Sequence, residues 1–292
     1  MAISPSDSLT KPVVWITGAN GLIGNYLVQT APRFASRWRV RALTRADFDL
    51  LDFAAVEREF TKDKPQLVIH CAAITAVSEA QKNPVLARRV NVEVTRFLAA
   101  LAAEINLVFF STDLVFDGRK GNYTETDALN PLHVYGETKV AAEEIVLENS
   151  RHLVVRTSIT GGRSLSGKRS FNEQLRHALQ SGQGMTLFTD EFRCPIPAVA
   201  TARAVWELVQ KNCAGIYHIV GAEKLSRWQI GELLIPRWPE AVAKIRSGSV
   251  KDFPGPLRAQ DTSLDVSKAQ KALSQPLPKF SEWLAANPED NF

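Results

Sequence analysis

A chain of 292 residues that is 45% hydrophobic and 23% charged, with 16 Gly and 15 Pro, has ordinary globular composition and can bury a substantial core without disulfides. A net charge of +4, with no dense basic run and no aromatic-basic interleaving, argues against nucleic-acid binding. No stretch approaches 18 uninterrupted apolar residues, so no membrane-spanning helix is expected, and the opening MAISPSDSLTKP lacks the basic-then-apolar pattern of a secretory leader.

Apolar, β-branched runs predict strands at Val13–Thr17, Arg39–Leu43, Leu67–Ala73, Leu107–Thr112, His152–Ser158 and Gly215–Val220. Helical patterns fall between and after them, at Gly21–Thr30, Phe53–Thr61, Pro84–Glu104, Tyr135–Asn149, Phe171–Ser181 and Ala198–Lys211. Alternating strands and helices imply βαβ units around a parallel sheet, because parallel neighbours need crossover connections. After Ser158 the pattern loosens. The loop ITGGRSLSGKRS, an irregular stretch ending in CPIP, and the Pro- and Trp-bearing chain from Ala222 suggest a smaller region over the carboxyl edge of the sheet, where open α/β sheets bind ligands. The expected division is residues 11–158 plus about 198–221 for dinucleotide binding, and about 159–197 and 222–292 for the substrate. Cys71 lies in an apolar run, while Cys194 and Cys213 are far from it, so buried core thiols in a reducing cytoplasm are expected rather than a disulfide or zinc site. The five histidines are dispersed without zinc-binding spacing, so no metal is expected.

VVWITGANGLIG places a strand directly before a Gly-x-x-Gly-x-x-Gly turn. Gly18 permits the turn, Gly21 lets a pyrophosphate approach backbone amides, and Gly24 lets helix and strand pack closely. The cofactor contacts expected there are Gly18, Asn20, Gly21, Leu22 and Ile23. The second strand ends Leu43-Thr44-Arg45, with no acid at the position that would hold a ribose 2′-hydroxyl. Arg45 therefore favours NADP(H) over NAD(H), although a solvated arginine in a turn would look the same. Asp52 fits a place beside the adenine or a helix cap.

Tyr135 and Lys139, at i and i+4, share one helix face and can enter one pocket. An adjacent ammonium favours the phenolate, which makes Tyr135 a proton donor to a carbonyl oxygen, with Lys139 also placed to bind ribose hydroxyls.

TGANGLIG, HCAAITAVSEA, STDLVFDG, NPLHVYGETKVAAE, VVRTS and DTSLDVSKAQKAL together resemble the extended short-chain dehydrogenase/reductases, above all the dTDP-4-dehydrorhamnose reductase family, from about Val13 to Leu284. The resemblance implies a modified Rossmann fold, a doubly wound parallel sheet with a small discontinuous C-terminal substrate-binding region. It implies Thr112, Tyr135 and Lys139 as the catalytic set, and it places Ala72, Ala73, Thr75 and Asn91 near the cofactor; packing or capping would account for these four equally well. The implied reaction is NADPH-dependent reduction of a keto group on a nucleotide-linked deoxysugar, by a cytoplasmic enzyme that could act as a homodimer. Thr112, Asp113 and Arg193 are the expected substrate contacts; Arg163, Lys168, Arg169 and Arg258 are further cations available to a diphosphate. Related dehydratases carry Asp-Glu after the threonine; here the pair is Asp113-Leu114, and a leucine cannot abstract a proton. Two alternatives remain: an epimerase, and a non-catalytic regulatory subunit like the methionine adenosyltransferase β subunit.

Overall fold

Val13–Thr17 (β1), β-branched or aromatic at most positions and buried throughout, takes the interior of a sheet rather than its edge. In this computed structural model, residues 11–239, 244–255 and 257–288 are described; residues 1–10 of the opening stretch lie outside them. After β1 come α1 (Leu22–Phe34), β2 (Arg39–Leu43), α2 (Phe53–Asp63), β3 (Leu67–His70), α3 (Val77–Lys82), α4 (Pro84–Arg88), α5 (Val94–Leu101), β4 (Asn106–Thr112), α6 (Val134–Leu147) and β5 (Leu153–Thr157). Then follow β6 (Thr160–Gly161), α7 (Phe171–Gln180), β7 (Met185–Phe188), β8 (Phe192–Arg193), β9 (Ile196–Pro197), α8 (Ala198–Gln210) and β10 (Gly215–His218). The last elements are β11 (Leu225–Ser226), α9 (Arg227–Leu234), β12 (Ile245–Gly248), α10 (Ser267–Ala272) and α11 (Phe280–Ala286).

Six strands pair in the order β10-β5-β4-β3-β1-β2, every neighbour parallel. On one face Ile16, Val108 and Phe110 pack against Leu27 of α1 and Trp206 of α8. On the other, Trp15, Val68 and Phe109 meet Leu98 of α5 and Val146 of α6. This is a Rossmann-like doubly wound sheet. The chain passes from β1 to β2 on one side and returns to β3 on the other, so the strand order reverses between β1 and β3. The crevice at that reversal is where such sheets bind ligands.

Several elements depart from expectation. The strand predicted over Leu67–Ala73 stops at His70, because the Asn91 side chain takes both backbone groups of Ile74: Oδ1 accepts from its N–H at 2.8 Å and Nδ2 donates to its carbonyl at 3.1 Å. The helix predicted over Pro84–Glu104 is interrupted by a π-helical turn at Arg89–Glu93 and ends at Leu101. That turn carries Asn91 inward, the kind of local use π-turns often have. Helix α3 was not anticipated, since VSEAQK is too short to show a period. Nor were α9, α10 and α11; α9 begins at a capping box between Ser226 and Gln229. Leu175, Leu187, Ile230, Trp238 and Phe280 form a third apolar cluster from segments on both sides of α8 and β10.

The sheet is tied to α6 by a buried ion pair. Arg156 of β5 and Glu143 of α6 are 2% and 1% exposed, and Nη2 lies 2.7 Å from Oε2. Glu143→Ala leaves the guanidinium uncompensated in the core, so urea unfolding should show a loss of about 3–5 kcal/mol.

Candidate active site

The glycine turn depends on the absence of side chains at two of its positions. Gly18 has a φ of 66°, and a Cβ there would sit 2.7 Å from the Ala72 amide nitrogen, so the turn packs backbone to backbone against the loop leaving β3. A Cβ on Gly24 would lie 2.4 Å from the Gly18 carbonyl oxygen. Gly21 is the N-cap of α1 and supplies no side-chain acceptor to its first turn. The amides of Leu22 and Ile23 are thus the kind of orphan donors, at a positive helix end, that hold phosphate. Asn20 beside them is exposed.

At the end of β2, Arg41 is committed to Asp47 and Asp63, each at 3.3 Å. Arg45 is exposed and makes no ion pair among the described residues, which leaves it as the available cation of that corner. Asp52 caps α2, accepting from the Ala55 amide at 3.0 Å; capping accounts for its carboxylate. Ala72 and Ala73 are half-buried in the loop after β3, and Thr75 is exposed. Asn91 also donates to Thr138 Oγ1 at 3.0 Å, so it joins that loop to α6. It positions both walls of the crevice.

Thr112 ends β4 and is buried. Its hydroxyl donates to Asp113 Oδ1 at 3.1 Å and accepts from the Leu114 amide at 3.2 Å, and it lies near enough to the Tyr135 phenol to lower its pKa. The two chain segments can approach because residue 136 is glycine: a Cβ there would lie 2.4 Å from the Leu114 carbonyl oxygen. The Leu114 side chain packs with Ile74, Ala80, Ala87 and Tyr135.

The electrostatics differ from expectation. Burial pushes the Tyr135 phenol above its ordinary pKa, the Thr112 hydrogen bond opposes this, and Asp113 adds to it. The Lys139 Nζ rests 3.9 Å from the centroid of the Phe109 ring. Burial lowers the Lys139 ammonium to about 7, opposed by Glu143 and Cys71. The two residues share the helix α6, but desolvation dominates both, raising the phenol and lowering the ammonium. His70 Nδ1 is 2.7 Å from Thr17 Oγ1, while His70 Nε2 and Ser111 Oγ are buried with no hydrogen-bond partner among the described residues. Cys71 is half-buried at the edge of the core, and its thiol is raised by burial.

Asp113 and Arg193 reach the same edge but are spent on the protein. Asp113 Oδ2 accepts from Ser158 Oγ at 2.6 Å and Thr262 Oγ1 at 2.8 Å, and lies 3.5 Å from Arg193 Nε. Arg193, 4% exposed, also donates to the carbonyls of Phe192 and Ala259 and pairs with Glu191 at 3.0 Å. Of the three expected substrate contacts, Asp113 and Arg193 thus also tie segments of the protein together. Glu191 is fully buried between Arg193, Arg227 at 3.2 Å and Arg258 at 2.8 Å. Burial would raise its carboxyl, yet Arg227, Arg193 and Arg258 hold it at about 2. Glu191, Arg227 and Arg258 line a cavity of about 530 Å³ whose walls include Phe171, Phe188 and Phe253. Arg227 and Glu191 were not singled out from sequence; the capping box just before α9 was the available signal for Arg227. Arg163, Lys168 and Arg169 are exposed. Among the described residues no group of three His, Cys, Asp or Glu is placed to hold a metal, and no helix is long and apolar enough to cross a membrane.

The family described as RmlD substrate binding domain matches residues 12–290. This chain belongs to it. Within the RmlD family, a dTDP-4-dehydrorhamnose reductase of Aggregatibacter actinomycetemcomitans is 30% identical over 93% of this chain and 95% of its own. The methionine adenosyltransferase 2 subunit beta of Xenopus laevis is 29% identical over 91% of this chain and 84% of its own. The solved dTDP-4-dehydrorhamnose reductase of Bacillus anthracis, in complex with NADP, has the same fold, with a TM-score of 0.86 at 23% identity, covering 95% of this chain and 98% of its own. The chain is thus an extended short-chain dehydrogenase/reductase of the RmlD type.

The Lys139 ammonium binds its proton less tightly folded, at about 7, than unfolded, at the usual 10.5. Lowering pH from 10.5 therefore favours the unfolded chain, and the penalty is complete below about 7. Lys139→Met removes that charge while keeping its shape. The variant should unfold at higher temperature than the parent at pH 7, with the gap narrowing towards pH 10, in thermal scans across that range.

Proposed function

We propose that this chain reduces a keto group on a nucleotide-linked deoxysugar, with NADPH as the hydride source. The observation that carries the reading is the convergence of Thr112, Tyr135 and Lys139 at the carboxyl edge of the sheet. Lys139 acts on Cys71 just after β3, and the glycine turn packs on Ala72 in the same loop, which supports a shared site. The reductase name of the 30% identical relative supports it. For NADPH, the support is the free Arg45 at the end of β2, set to meet a 2′-phosphate, and the NADP in the Bacillus anthracis structure.

The residues divide the work. Gly18, Asn20, Gly21, Leu22 and Ile23 would hold the pyrophosphate. Ala72, Ala73 and Thr75 would line the nicotinamide side, and Lys139 would hold ribose hydroxyls. Bound NADPH supplies hydride to the keto carbon. With substrate bound, the Thr112 hydroxyl would turn from Asp113 to donate to the keto oxygen and Tyr135 would donate its phenolic proton to it, so the carbonyl becomes an alcohol. The raised phenol pKa keeps that proton in place until charge develops on the oxygen. Residues 11–158 with 198–221 would carry the dinucleotide, and 159–197 with 222–292 the substrate. In the latter, Arg227 and Arg258, rather than Arg193, line the cavity and would meet the diphosphate.

Leu114, packed in an apolar cluster, offers no acid for a dehydratase. The methionine adenosyltransferase relative favours a second reading, a regulatory dinucleotide-binding subunit; NADPH oxidation against a panel of keto-sugar nucleotides decides between the two. Turnover is expected, and tight NADPH binding without turnover would sink the reductase. Tyr135→Phe should lower kcat at least about 10²-fold with the NADPH Kd nearly unchanged, as separate turnover and fluorescence-binding measurements would show. Arg45→Asp should shift the NADPH-to-NADH preference by about 10-fold or more towards NADH, the worth of a charge-assisted contact; an unchanged ratio of kcat/KM values refutes the cofactor assignment.

A further inference from the structure

We infer that His133 contacts the substrate sugar, donating a hydrogen bond from its free ring nitrogen beside Tyr135; the inference rests on the reductase reading above. His133 is the N-cap of α6, and its Nδ1 accepts from the Gly136 amide at 3.2 Å. A ring nitrogen that accepts carries no proton, so the neutral ring is the Nε2–H tautomer. That N–H has no protein partner among the described residues, and unlike Nε2 of His70 and His152 it is not enclosed in the core. The two nitrogens lie on different edges of the ring, so with Nδ1 turned to the helix end, Nε2–H faces away from it. The half-buried ring lies nearly parallel to that of Tyr135, at 24° with centroids 6.3 Å apart. The cap thus does two jobs. It starts the helix that carries Tyr135, and it aims a donor into the space where the proton donor works.

The charged groups around the ring come from three elements: Glu137 on α6, Arg193 on β8, and Asp113 after β4. Burial lowers the imidazole below its ordinary pKa and Arg193 adds to this, whereas a backbone hydrogen bond, Glu137 and Asp113 oppose it. At neutral pH the ring is therefore neutral and the cap is intact. Below the usual imidazole range, Nδ1 takes a proton and the Gly136 amide loses its acceptor in the turn that holds Tyr135. An acid limb in kcat/KM follows from this residue.

The test separates cap from donor. Serine is a preferred N-cap residue but its side chain is too short to reach as Nε2 does, so His133→Ser keeps the cap and loses the donor, while His133→Ala loses both. In the full-length protein, His133→Ser should match the parent in unfolding temperature and NADPH Kd. Its KM for the keto-sugar nucleotide that the parent turns over should rise about 3–10-fold with little change in kcat, the worth of one neutral hydrogen bond, and the acid limb should disappear. His133→Ala should add a lower unfolding temperature. A serine variant with the parent's KM and acid limb overturns the inference, as does one whose NADPH affinity falls along with it. A parent that turns over no keto-sugar nucleotide overturns the reductase reading, and this inference with it.

Discussion

The carboxylate of Asp113 holds the catalytic edge to the rest of the protein. It accepts from Thr112, Ser158 and Thr262 and lies beside the Arg193 guanidinium. These partners come from β4, the exit of β5, the segment before α10, and β8. A buried carboxylate is costly without such partners and strongly bonded with them, so four distant segments are drawn to one point. Thr112 inherits its orientation from the arrangement, because its proton is already given to Asp113. From Arg193 the connection continues to Glu191 and on to Arg227 and Arg258. The Thr112 hydroxyl and the wall of the cavity lined by Arg227 and Arg258 are thus parts of one polar network.

Around this network several features are unfavourable for stability. Lys139 is an ammonium set on the ring of Phe109 at heavy cost in solvation. Ser111 Oγ and His70 Nε2 are enclosed without partners. Such groups cluster where a ligand completes the bonding or where chemistry needs them. All lie beneath the crevice that the glycine turn opens. The Asn91 bonds to Ile74 and Thr138 keep that crevice in shape, at the expense of regular helix in the π-turn.

Much of this site was legible in the chain. The strand before TGANGLIG, the i and i+4 spacing of Tyr135 and Lys139, and the hydroxyl at the end of β4 are local patterns, and local geometry carried them into the structure. Helix-face spacing was a poorer guide to charge. It put Lys139 on the correct face of α6, but Lys139 settles on Phe109, and burial raises the phenol that it was expected to lower. Arg193 was legible as a cation at the cleft, whereas its partners Asp113, Glu191 and Ala259 lie on other segments and leave no sequence trace. The short helices after Ala222 were missed because so few residues show no period, and packing against Leu175, Leu187 and Trp238 is what stabilises them.

By itself, the sequence determined the order of strands and helices, the glycine turn, and the presence of a phenol and an amine on one helix face and a hydroxyl at the end of β4. These follow from spacing over a few residues, where periodicity and steric limits act. Tertiary structure alone decided which charges are spent and which are free. It committed Arg193 and Asp113 to each other, left Arg45 without an ion pair among the described residues, gathered three arginines on Glu191, and turned His133 Nδ1 to a helix cap. Protonation and pairing depend on desolvation and on partners up to 149 residues away in the chain, and only the folded chain brings those together.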